Sequence, residues 1–147
     1  MLNKILSDIY ERDLGKVKTE LAAYTDEAKI WQVGNGISNS SGNLTLHIIG
    51  NLNHFIGAIL GNTGYVRDRD SEFSLKNIPS AQMIAEIDKT IAVIRSTLGK
   101  LTPEDLEKIY PQPLPIGEVT TGFFMVNLIA HLDYHLGQIN YCRRLLG

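Results

Sequence analysis

The sequence predicts an all-α protein, a four-helix bundle with two long inter-helix loops. Three observations carry that expectation. Apolar residues recur at helical spacing in four separated stretches. The gaps between those stretches hold the Gly, Pro, Ser and Thr residues that stop and start helices. The chain has 147 residues, enough for four such helices around one core and for a single domain over residues 1–147.

The first helix is expected over residues 2–24. Leu2, Ile5, Leu6, Ile9, Leu14, Val17, Leu21 and Tyr24 share its inner face. Gly15 weakens it at mid-length and predicts a bend there. Residues 26–32 add a further turn or two, with Ile30 and Trp31 inward, before Gly34-Asn-Gly36 stops the chain. Ser38-Asn-Ser-Ser41 supplies N-cap candidates for a second helix over about 40–61. Leu44, Ile48, Leu52, Phe55, Ile59 and Leu60 make its apolar side, and His47, Asn51 and His54 make a polar stripe. Gly50, Gly57 and Gly61 each cost this helix about 1 kcal/mol relative to Ala, which close approach of a neighbour can offset.

Residues 62–79 read as a long polar loop centred on Arg67-Asp-Arg-Asp-Ser-Glu-Phe73, a solvated run of alternating charge. Ser80 is the expected cap of a third helix over 81–98, with Gly99 at its C′ position. Thr102-Pro-Glu-Asp105 resembles a short helical start, Thr102 as N-cap and Pro103 at N1. Pro111, Pro113 and Pro115 force an extended crossing. Thr120 or Thr121 caps the fourth helix, which should reach about residue 145.

Composition excludes several function classes. The chain is 44% hydrophobic and 20% charged, with a net charge of −2. No dense Lys/Arg cluster is present, so binding driven by neutralising nucleic-acid phosphates or an acidic membrane surface is not expected. One cysteine, Cys142, allows no intrachain disulfide and fits a reducing compartment. It lies seven residues beyond His135 and reads as a small core residue. The charged N-terminal stretch lacks the apolar run of a signal peptide, and no segment approaches the roughly 20 apolar residues of a membrane span. The cytoplasm is the expected location.

The chemistry concentrates in His131-Leu-Asp-Tyr-His135-Leu-Gly-Gln138. Two histidines four apart on a helix stand one above the other and can reach one divalent ion. Gln138 prolongs the polar stripe by a turn. Leu132 follows the first histidine where a zinc protease carries its general-base Glu, so that mechanism is not supported. A third ligand must come from the second helix, and periodicity does not choose between His47 and His54. Asn51 lies one turn from His47, within reach of a ligand or of the metal-binding groups. The competing reading of the same residues is a buried hydrogen-bond network of Asn51, His54 and Gln138. Asp133 points away from the ligand face, Tyr134 flanks it, and Glu72 is a candidate to fold over the site from the 62–79 loop.

Taken together these motifs resemble the DinB-like, or YfiT-like, family of small metal-binding four-helix bundles. The second-helix pattern matches at Asn39-Ser40 and Leu46-His47-Ile-Ile-Gly50-Asn51-Leu52, with Ile49 larger than usual. The fourth-helix pattern matches at His131, His135 and Gly137-Gln138-Ile139. The resemblance implies that His47, His131 and His135 are the metal ligands and leaves His54 outside the ligand set, as a pocket or surface residue. It also implies an open coordination position, since three imidazoles do not close a tetrahedral site. All-imidazole ligation suits Zn, Ni or Fe better than Mg or Ca. Some relatives are bacillithiol- or mycothiol-dependent S-transferases, so a low-molecular-weight thiol is an expected co-substrate. Hydrolysis of a small molecule is the alternative, and a non-catalytic metal-binding protein a third. DinB-like proteins often dimerise, and apolar residues outside the seam permit a homodimer without requiring one.

Overall fold

The computed structural model describes all 147 residues and is all-helical, without a β-strand. Six helices follow in order: α1 (Leu2–Ala22), α2 (Ser41–Gly61), α3 (Arg69–Ser74), α4 (Ser80–Gly99), α5 (Pro103–Glu107) and α6 (Thr121–Leu146). A 3₁₀ turn, Glu27–Trp31, sits between α1 and α2 and buries Ile30.

The four long helices close a ring. Helix α1 packs on α4 and α6, and α2 packs on the same two. Each therefore buries two flanks against neighbours, which lets a single continuous cluster of 23 buried apolar residues fill the centre. Fully burying a large aliphatic side chain contributes about 1.5–3 kcal/mol, so this cluster is the main stabilising element. Two tyrosines pin its ends. Tyr10 Oη donates to the Met125 carbonyl at 2.5 Å, tying α1 to α6, and Tyr110 Oη donates to the Phe55 carbonyl at 2.7 Å.

The expected caps divide. Ser40 Oγ accepts from Asn43 N, and Thr120 Oγ1 accepts from Phe123 N, as the sequence indicated. Thr102 and Asp105 form a complete capping box on α5, with Pro103 in the first turn. Ser80 does not cap α4. It is the first helical residue, Pro79 holds the cap position, and Ser80 N–H donates to the carboxylate of Glu27 instead. Gly99 is still helical and Lys100 closes α4 in ordinary right-handed backbone, so no left-handed C′ glycine is used. Helix α1 runs unbroken through Gly15.

The 62–79 segment is the main departure. It carries α3, which packs along α2 and buries Glu72. Asp68 accepts from Ser71 N at its N-cap, and Asp70 and Glu72 lie in its first turn, where carboxylates face the positive helix end. The charge run is thus a helix start rather than a solvated loop.

Against the expectation that no segment approaches a membrane span, helix α2, whose polar residues are too few to interrupt its apolar run, is long and apolar enough to cross a membrane by length and composition, the only helix that is. Here it is wedged between α3, α4 and α6, and that burial accounts for its apolar character. Its second half widens into a π-helical stretch, Asn53–Ala58, a form found frequently at functional sites. A Cβ on Gly57 or Gly61 would stand 3.1 Å from Val93 and 2.5 Å from Thr97 of α4, so these two glycines permit the close approach.

Candidate metal centre

His47 lies on the side of α2 that faces α6. The two helices run antiparallel: His47 meets His131 and His135, while Phe55, two turns on, meets Phe124, with ring centroids 5.2 Å apart. This register brings the three imidazoles together. His47 Nε2 is 3.2 Å from His131 Nε2, and His135 Nε2 is 3.1 Å from the same atom. The ligand atoms of the three residues all lie within 4.8 Å of one another, and no carboxylate or thiol joins them.

The outer nitrogens explain which atoms face inward. His47 Nδ1 is 2.9 Å from Glu72 Oε1, and His135 Nδ1 is 2.7 Å from Gln138 Oε1. Both partners are acceptors, so both Nδ1 atoms carry the proton and donate. Two bare Nε2 lone pairs then converge on His131 Nε2, which has at most one proton to give. A cation at the centre satisfies all three. Donors about 2.0–2.1 Å from a tetrahedral ion stand about 3.3–3.4 Å apart, close to the two separations that His131 Nε2 makes. The donor set therefore fits a divalent transition ion.

Burial sets the protonation. His131 is held down at about 4, first by desolvation and then by the neighbouring charges of His135, His47 and Arg67. Desolvation likewise lowers His135, partly opposed by its bond to Gln138. Neutral imidazoles are the ligating form, so His131 and His135 are poised to bind without first expelling protons.

His47 is braced from outside. Glu72 is 5% exposed, and Arg67 clamps it with Nε on Oε2 at 2.9 Å and Nη2 on Oε1 at 3.0 Å. Burial raises the Glu72 carboxyl, but the bonds from His47 and Arg67 outweigh that and leave it below its ordinary value. Phe73 lies on the His47 ring at 4.9 Å. The carboxylate occupies space that only glycine leaves open: a Cβ on Gly50 would stand 1.9 Å from Glu72 Oε2. Asn43 Nδ2 ties α3 down by donating to the carbonyls of Glu72 and Leu75 at 2.9 and 2.8 Å.

The remaining sequence candidates are distributed around this core. Gln138 is exposed and bonds His135. Asn51 is buried one turn beyond His47, and its Oδ1 has no hydrogen-bond partner. Tyr134 is 67% exposed, its ring edge-on to His135 at 5.5 Å. His54 is half-buried against Phe55, apart from the three-histidine cluster. The alternative network of Asn51, His54 and Gln138 does not form. Arg67 and Asn43 are participants the sequence reading missed. Asn43 could have been suspected three residues after the Ser40 cap; Arg67, five residues before Glu72, carries no helical spacing to reveal it.

An all-helical protein with a partly buried three-histidine cluster is the class this fold and site define. The chain belongs to a protein family of unknown function, DUF1572, whose profile matches residues 6–147. No curated protein is significantly similar to it.

Proposed function

We propose that the protein is a metal-dependent enzyme of the DinB-like type, a four-helix bundle in which His47, His131 and His135 hold one Zn, Ni or Fe ion with an open position. The observation that carries this is the convergence of three Nε2 atoms, with the outer nitrogens of His47 and His135 fixed by Glu72 and Gln138. An ion held there supplies Lewis acidity, lowering the pKa of a thiol or water that coordinates it.

Thiol transfer from a low-molecular-weight thiol to a small electrophile is the reaction class we favour. Hydrolysis calls for a general base near the open position. Glu72, the one carboxylate bonded to the cluster, sits on the outer side of His47 and is fully engaged by Arg67. Asp133 is exposed on α6, two residues from His131 and off the ligand face. A thiol ionises more readily than water and needs less assistance. Within this reading His47, His131 and His135 hold the ion, Glu72 and Gln138 orient the rings, and Asn51 offers an unpartnered carbonyl oxygen. We further propose a cytoplasmic protein acting on a small molecule rather than on nucleic acid or membrane, with a homodimer accommodated by exposed Leu2, Ile5, Phe123 and Val126.

Metal analysis of protein purified without a nickel column tests the centre: about one equivalent is expected, and less than about a tenth after reconstitution overturns it. Electrophiles are then screened with and without added thiols. Turnover that needs the thiol supports transfer; a rate indifferent to thiol identifies hydrolysis instead.

A further inference from the structure

A cleft of about 340 Å³ shares a wall with the centre. His135 stands at one end, and Gln138, Tyr141, Cys142 and Leu145 continue the stripe along α6. Ten residues separate His135 from Leu145, about 15 Å of helix at 1.5 Å per residue, so the groove is elongated and starts at a ligand of the ion. The opposite wall is Ile37, with Ser38 and Asn39, in the turn before α2, and Leu44 in its first turns. No Asp, Glu, Lys or Arg lines it. Of the two cationic residues at the end of α6, Arg143 bonds Glu20, and Arg144 lies over the ring of Tyr141, a wall residue, at 5.1 Å.

We propose that this cleft binds an uncharged, largely apolar tail of the substrate, while a donor atom at the other end of the same molecule reaches the metal; this rests on the reading of the centre given above. The apolar walls reward burial of hydrocarbon in proportion to its length. Ser38, Asn39 and Gln138 supply hydrogen bonds for a neutral polar group. A phosphate or carboxylate placed along the groove would lose its hydration with no cation among the lining residues to compensate. The electrophile is therefore a neutral, elongated molecule, and charged portions of any thiol co-substrate lie outside this cleft.

The experiment uses the full-length zinc-loaded protein and straight-chain hydroxamic acids from acetohydroxamate to octanohydroxamate, whose head binds zinc and whose tail varies. Titration calorimetry should show affinity rising about three- to fourfold per added methylene. A probe of octanohydroxamate length ending in carboxylate should bind at least about tenfold more weakly. Tyr141 and Leu145 are mostly exposed, so Tyr141→Ala and Leu145→Ser should fold. Both should flatten the dependence on tail length while leaving acetohydroxamate binding unchanged. Acetohydroxamate that binds with no gain from longer tails, or a gain the two variants do not reduce, overturns the cleft and spares the metal centre. Failure of zinc itself to bind overturns both.

Discussion

His47 and His135 present the same nitrogen to the same point, yet they are held in opposite ways. His47 is 6% exposed and its outer nitrogen meets a buried carboxylate, itself clamped by Arg67 and covered by Phe73. His135 is half-buried and its outer nitrogen meets the neutral amide of an exposed Gln138 on its own helix. One arm is built from three segments of chain and the other from a single turn of α6. The difference separates two jobs. A buried charged brace fixes ring orientation and tautomer firmly, but it must be completely paired, because an orphaned buried charge is costly. A local amide brace does less and risks little.

The sharpest way to break the comparison is to remove the His47 ring. His47→Ala should reduce bound metal from about one equivalent to below about a tenth, read by elemental analysis, because two imidazoles on one helix leave the ion weakly held. Next in size is Glu72→Ala. It leaves Arg67 buried without its partner, and should cost about 3–5 kcal/mol in denaturant unfolding. Zinc affinity should fall about 10- to 100-fold with it.

Gly50→Ala sharpens the argument, since helix propensity alone favours Ala by about 1 kcal/mol. Here the new methyl would collide with the Glu72 carboxylate, so the variant should be less stable and weaker in zinc binding despite its better helix former. Gln138→Ala should lower zinc affinity by less than about tenfold and leave the unfolding midpoint within error, because only an exposed brace is lost.

The smallest effect is on pH. The His131 imidazole is held at about 4 in the folded chain, below its ordinary value of 6.5. Between those values the unfolded chain takes up a proton that the folded chain refuses. The contribution of His131 to the stability of the metal-free protein is therefore complete above about pH 6.5 and is lost as pH falls toward about 4. Thermal melts of the metal-free protein should show this slope, and His131→Asn should flatten it.

How much of this was legible in the chain follows from the range of each interaction. Helices α1, α2, α4 and α6 were readable because an apolar stripe at a period of 3.6 is a local signal. Thr102 and Thr120 were readable as caps because a cap bonds a nitrogen only a few residues away. The α3 segment gives no periodic signal, since six residues make too short a stripe, although Asp68 with acids in the following turn is a start signal. The Ser80 cap was misplaced because a distant Glu27 claims that N–H instead. His131 and His135 share a face by backbone geometry alone, and Gln138 follows from the same turn.

The sequence by itself determined that the protein is helical, where its long helices lie, and that one helix carries a pair of imidazoles on a single face. These depend on neighbours within about one helical turn, where spacing fixes geometry. Only the tertiary structure decided that His47 rather than His54 joins the cluster on geometric grounds. It also decided that Glu72 and Arg67 stand behind His47, and that Gly50 is bare to admit a carboxylate. Those facts depend on the antiparallel register of α2 against α6 and on α3 folding back over α2, and no local periodicity encodes either.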